Sequence, residues 1–228
     1  MTFGAVFPRV LRPVFGPGLA VSAAAANWWE AGGATGCVAA YQPKGAASLA
    51  ASYTNLANPG TYDAAPGVAP TWDATNGWTF ANTQYLTTGV VLSGTSSALV
   101  RFSNDSGNNQ YLFGALQSGA GILISPNRTL AYVWYYSTTA LQIAPNVTSG
   151  VLGIAAPNGG KAYRNGVEES GSMAAWTGAL SVGLHINGFN NNGSSAARDT
   201  VYIQAFAAYS GTLSAPQMAA ISTAMAAL

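Results

Sequence analysis

The sequence predicts an all-β fold, a sandwich or a barrel, and two observations carry that expectation. From Trp78 onward, strand-length segments such as "SALVRFS", "TLAYVWYYS" and "TVYIQAFAAYS" follow one another with Gly, Asn, Ser or Pro between them. That is the spacing of many short strands within one domain. The composition agrees. Hydrophobic residues make up 49% of the 228, ample for a core, while charged residues are only 7%, against roughly a quarter in average soluble domains. Ala, Gly, Ser, Thr and Asn fill the difference, giving a weakly repulsive surface that suits a protein packed against other subunits.

At the front, "MTFGAVFPRVLRPVFGPGLAVSAAAAN" imitates a secretory signal, with Arg9 and Arg12 ahead of apolar residues and Ala24-Ala25-Ala26 behind them. Pro13, Gly16, Pro17 and Gly18 interrupt the apolar stretch, and with Pro8 they forbid a continuous helix or a central strand. Residues 1–27 are therefore expected as an extended docking arm, held by their own domain or by a neighbouring molecule. Phe3, Val6, Phe7, Val10, Leu11, Val14 and Phe15 would supply its buried area, and Arg9 and Arg12 its polar contacts. Next, "NWWEAGG" predicts a short helix or turn anchored by Trp28 and Trp29. "KGAASLAASYTNLANPG" predicts a second helical turn ending near Asn58-Pro59-Gly60. Residues 28–60 read as a short helical or irregular lead-in packed on the sandwich. Thr61–Gly77, with its prolines and no periodicity, reads as loop.

Within the strand region, "TVYIQAFAAYS" alternates. Val201, Ile203, Ala205, Ala207 and Tyr209 are expected on one face, and Tyr202, Gln204, Phe206 and Ala208 on the other. An aromatic on each face suits a strand covered on both sides or one beside a partner. In "GKAYRNGVEE", Asn165-Gly166 supplies the two positive-φ positions of a type I′ turn, so this segment reads as a hairpin with Tyr163 pointing to the core or to a neighbour. The chain closes on "SGTLSAPQMAAISTAMAAL". Ser214 and Gln217 have the capping-box spacing, Pro216 sits in the first turn, and Met218, Ile221, Met225 and Leu228 share one helical face.

Three ordered stretches resemble the laminin-G-like, concanavalin A-like jelly-roll family: "GWTFANTQYLTTG", then "KAYRNGVEE", then "LSVGLHINGFNNNGSSAARDTVYIQAFAAYSGTLSAPQMAAI". The resemblance covers residues 61–228. It implies a concanavalin A-like jelly-roll β-sandwich with a short C-terminal helix, preceded by the extended N-terminal arm. "NWWEAGG" and the stretch from Cys37 to Ala74 are similar to segments found ahead of jelly-roll domains in tailed-bacteriophage virion proteins, which implies a place on a phage particle. Members of the family that bind calcium carry acidic residues and carbonyls at one rim. Here the rim candidates are Asp73, Asp105 and Asp199, which nothing in the sequence joins, so no cofactor is expected.

The residues that carry chemistry are few. A glycosidase needs two carboxylates facing across a cleft, and the close pair along the chain, Glu168-Glu169, points to opposite faces of a strand. His185 is the sole histidine, more often a structural residue than a general base when alone on a strand. Gly-x-Ser-x-Gly and phosphate-cradling motifs are absent from the sequence. The single Cys37 can form neither an internal disulfide nor a cysteine–histidine metal site. Net charge is +1 with the basic residues scattered, which argues against nucleic-acid binding. No window approaches the roughly 18 uninterrupted apolar residues of a membrane span.

The expectation is therefore a non-enzymatic structural protein located on a virion. It would be a capsid decoration, head fibre or tail-fibre component whose partners are other capsid or tail subunits, or further copies of itself. The alternative is a carbohydrate-binding module for host or environmental glycans. Its candidate residues are Trp134, Tyr136, Phe189, Asn190 and Asn191, set against a second reading in which Trp134 and Tyr136 are core and the Asn run is a solvated loop.

Overall fold

The structure, a computed structural model, describes Met1 and residues 27–106, 110–118, 120–128, 131–156 and 159–228, with positions 132, 133 and 135 described by backbone alone. The proposed docking residues Phe3 to Phe15 lie outside the described residues. Trp28–Gly33 forms a short 3-10 turn, followed by β1 (Cys37–Tyr41) and a single turn, α1 (Leu49–Ser52). Then come β2 (Ala65–Val68), β3 (Thr71–Asp73), β4 (Gly77–Phe80), β5 (Tyr85–Thr87), β6 (Ser97–Ser103) and β7 (Phe113–Gln117). They are followed by β8 (Ala120–Arg128), β9 (Ala131–Ser137), β10 (Thr139–Ile143), β11 (Gly150–Ala155), β12 (Lys161–Arg164) and β13 (Val167–Glu168). Last are β14 (His185–Ile186), β15 (Phe189–Asn191), β16 (Ser194–Ala196), β17 (Val201–Tyr209) and α2 (Ala215–Ala226).

Among the described residues these strands make two facing sheets, the jelly-roll β-sandwich expected from the sequence. The eight-stranded sheet runs β13-β12-β11-β6-β17-β4-β3, with β1 also on β17. The nine-stranded sheet runs β10-β9-β8-β7-β14-β5-β2, with β15 also on β7 and β16 on β15. Pairing is antiparallel apart from the short run of β15 along β7. Between the sheets lies a core of Trp78, Phe80, Phe102, Phe113, Trp134, Tyr136 and Phe206, all buried. Trp78 Nε1 donates to Ser52 Oγ at 2.7 Å, so α1 also serves the core. A second apolar layer, on the outer face of the eight-stranded sheet, joins Leu99, Val151, Tyr163 and Tyr209 to Trp28, Trp29, Met218, Ile221 and Met225.

That second layer explains the aromatics on both faces of β17: one face meets the opposite sheet, the other meets α2 and the 3-10 turn. The expected alternation holds only in part. A register shift between Ile203 and Ala205 puts Val201, Ile203, Phe206 and Ala208 inside the sandwich and Ala205, Ala207 and Tyr209 under the helix. A bulge inserts one unpaired residue, and everything beyond it changes face.

Other differences have equally local causes. Cys37–Tyr41, set aside as lead-in, is a strand on β17. Thr61–Gly77 holds β2 and β3. Each lies at the end of its sheet, where Pro66 lacks only a hydrogen bond that an edge does not need. The long Asn-rich loop contains the hairpin β15–β16, turning at Asn192-Gly193 with φ of 50° and 98°. The Asn165-Gly166 hairpin stands as read, with φ of 50° and 81°. The capping box of α2 is formed in both directions between Ser214 and Gln217. No helix among the described residues is long and apolar enough to cross a membrane.

Candidate functional site

One end of the sandwich gathers the connections β4–β5, β14–β15 and β16–β17 with the described part of β6–β7 and the end of β8, and Asp105, Asp199 and His185 lie there. Asn187, fully buried with φ of 62°, is the hub. Its amide donates to the carbonyls of Gln84 at 2.8 Å, Asp199 at 3.0 Å and Ala81 at 3.4 Å, and its Oδ1 accepts from Asp199 N at 3.0 Å. Three loops are thereby clamped by one side chain. Gly188 follows with φ of 99°, and a Cβ there would stand 2.5 Å from the Ala196 carbonyl and 2.9 Å from Arg198 Cγ. Only glycine fits that crossing.

On this frame sit two aromatic–guanidinium groups. Arg198 donates from Nε to Asn82 O and from Nη1 to Ser195 O, both at 3.0 Å, and its guanidinium carbon stands 6.0 Å from the centroid of the Tyr85 ring. Tyr85 in turn packs against His185, the ring centroids 4.9 Å apart and the planes tilted by 34°. Burial pushes His185 down to about 4, so it is neutral, and its Nδ1 has no hydrogen-bond partner. On the other side of Gly188, Arg128 donates from Nη1 to the Tyr111 hydroxyl and lies over that ring at 5.6 Å. Phe189 meets Tyr111 edge-on at 5.2 Å.

Between the loops opens a cleft of about 90 Å³ lined by Asn82, Ser106, Gln110, Arg198, Asp199 and Thr200. The side-chain oxygen of Gln110 is shielded from solvent without a hydrogen-bond partner. Asp199 is held up to about 8, first by burial and then by a hydrogen bond and like charge from Asp105. The fold thus joins two carboxyls 94 positions apart in the chain (199 less 105). Asp73 is elsewhere, at the β3–β4 turn, accepting from the backbone of Thr75 and Asn76. Among the described residues no three His, Cys, Asp or Glu side chains converge as metal ligands. Two neighbouring carboxyls fall short of the six to eight oxygens, in round numbers, that calcium takes.

The sequence-predicted glycan residues divide. Phe189 is half-buried on this rim and Asn191 is exposed in the hairpin. Asn190 is spent on structure, donating to Gly183 O and accepting from Gly193 N. Trp134 and Tyr136 are corrected: both are fully buried between the sheets, because alternation on β9 turns positions 134 and 136 inward together. Sequence reasoning missed Tyr85 and Arg128, at the ends of β5 and β8, and Gln110 and Arg198, in two separate connections; no common motif joins the four.

No protein-family model and no curated protein matches the chain. Solved structures do. A sialidase from Trypanosoma rangeli in complex with sialic acid aligns with a TM-score of 0.61 at 14% identity, over 82% of this chain and 32% of that one. Domain 4 of AbnA, a GH43 extracellular arabinanase from Geobacillus stearothermophilus, in complex with arabinotriose, aligns at 0.58 and 15% identity, over 82% of this chain and 98% of that domain. The chain spans about a third of the sialidase. At these identities the likeness shows the fold. It also overturns the reading of the chain as a non-enzyme, since this sandwich occurs within glycosidases and the architecture gives no ground for excluding bond-breaking chemistry. The carboxylate argument behind that reading compared neighbours along the chain, and the pairing of Asp105 with Asp199 lies outside its reach.

Proposed function

We propose that this β-sandwich is a carbohydrate-binding domain whose ligand meets the rim at Gln110, Phe189, Asn191 and Arg198. The observation that carries the reading is the cleft lined by amide, hydroxyl and guanidinium side chains from separate loops, among them Gln110 with its unpartnered oxygen. A shielded acceptor left without a donor costs about 1–3 kcal/mol, and a saccharide hydroxyl supplies that donor. The cleft is too small for a sugar ring, so it suits a projecting hydroxyl or hydroxymethyl group while the ring lies along the hairpin beside Phe189. Polar groups fixing orientation beside an aromatic surface are the usual makeup of such sites. The arabinanase domain described with arabinotriose, matched over 98% of its length, supports the reading at the level of the fold.

A glycan array with the full chain tests it. Binding of at least one saccharide class is expected, weakened about tenfold in Gln110→Ala and Phe189→Ala, in line with one lost hydrogen bond or contact. An array without a single bound saccharide removes the reading.

A place on a bacteriophage particle, with residues 1–27 as docking arm, remains a proposal supported by the 7% charge and the sequence resemblance. It predicts that deleting residues 1–26 abolishes incorporation into particles; normal incorporation of the truncated chain would end it.

A further inference from the structure

We infer that the rim selects acidic saccharides, those carrying a carboxylate, through Arg198 and Arg128; this rests on the carbohydrate-binding reading and narrows its ligand. Charges are sparse in this chain, 7% of its residues. Lys161 and Arg164 are ion-paired to Glu168 and Glu169 within one hairpin. Arg101 donates from Nη1 to the carbonyls of Met225 and Leu228 at the end of α2. Arg128 and Arg198 take part in neither ion pair seen among the described residues, yet both stand at the same end of the sandwich, one on each side of Gly188-Phe189.

Both guanidinium groups are oriented in advance. Arg198 is fixed by two backbone carbonyls and the Tyr85 ring, Arg128 by the Tyr111 hydroxyl and ring. A guanidinium carries five N–H donors in a planar fork. The two bonds of Arg198 use its Nε hydrogen and one on Nη1, leaving the Nη2 edge for a ligand. A fork already held in place loses little rotamer freedom on binding and matches a carboxylate two bonds at a time. Asp199, which lines the same cleft as Arg198, holds its proton at neutral pH because burial, with Asp105 beside it, raises it to about 8. A neutral glycan would use the amides of this rim and leave both cations unanswered, whereas a uronate-type sugar answers them.

The test is titration calorimetry of the full chain with oligogalacturonate and with the same oligosaccharide fully methyl-esterified, which removes the charge and keeps the sugar. The acid is expected to bind at least about tenfold more tightly, the scale of one charge-assisted hydrogen bond, and to weaken as salt rises. Arg128→Gln and Arg198→Gln should each narrow the difference. Because Arg198 also holds two loop carbonyls, Arg198→Lys and the exposed Arg128 separate loss of charge from loss of loop geometry. Equal affinity for acid and ester overturns the inference and leaves the carbohydrate reading standing. Binding of neither ligand, with neutral glycans bound on the array, also overturns it, and silence on both assays removes the two together.

Discussion

Asp199 and His185 are two buried titratable groups on one rim, and burial moves them in opposite directions. Asp199, raised from 3.8 to about 8, holds its proton in the fold, so its contribution to stability is complete below 3.8 and is lost as pH rises towards 8. His185, lowered from 6.5 to about 4, is neutral in the fold, so its contribution is present above 6.5 and is lost as pH falls towards 4. Between 4 and 6.5 the two slopes oppose each other; from 6.5 to 8 only Asp199 acts. Urea denaturation is therefore expected to show stability declining from pH 6.5 to 8, and Asp199→Asn should flatten that decline. An unchanged slope in the variant would mean that the carboxyl is ionised at neutral pH. None of this was legible in the sequence, where Asp105 and Asp199 were merely two isolated acids.

At the scale of elements, what could be read were the local signals. The Asn165-Gly166 turn and the Ser214–Gln217 capping box depend on residues a few positions apart, and both form as expected. Ser214→Ala removes the acceptor for Gln217 N and is expected to cost about 1 kcal/mol, visible as a lower thermal midpoint; Ser214→Asp should restore most of it. What escaped were elements whose existence depends on a partner. β1 forms because β17 offers an edge, and β2 and β3 form despite prolines because they close the ends of two sheets. The bulge in β17 belongs with these: nothing in "TVYIQAFAAYS" marks Gln204, and the shift follows from fitting one strand between β6, β4 and β1.

For the whole molecule, burial on two levels decides which aromatics go to the core and which stand at the rim. With core on both faces of the eight-stranded sheet, most large rings are consumed by packing, Trp134 and Tyr136 among them. Trp134→Ala is accordingly expected to destabilise the fold by about 3–5 kcal/mol, measured as a shift in the urea midpoint, with no selective effect on saccharide affinity in the fraction that stays folded. A folded Trp134→Ala protein of unchanged stability and lost binding would instead place that ring in the site. The aromatics at the rim are the half-buried Tyr85 and Phe189 and the buried Tyr111, each near the start of a strand and each touching an arginine, a histidine or another ring.

The sequence by itself determined the class of fold, the C-terminal helix, the Asn-Gly hairpin and the proline-broken front segment, because hydrophobic period and turn chemistry act over a handful of neighbouring residues. Only the tertiary structure decided which face each ring takes, and that Asn82, Gln110, Arg198 and the Asp105–Asp199 pair share one rim. Those groups come from loops far apart in the chain, and they meet because the sandwich returns its strand ends to the same edge, where a single buried amide, Asn187, clamps three loops together.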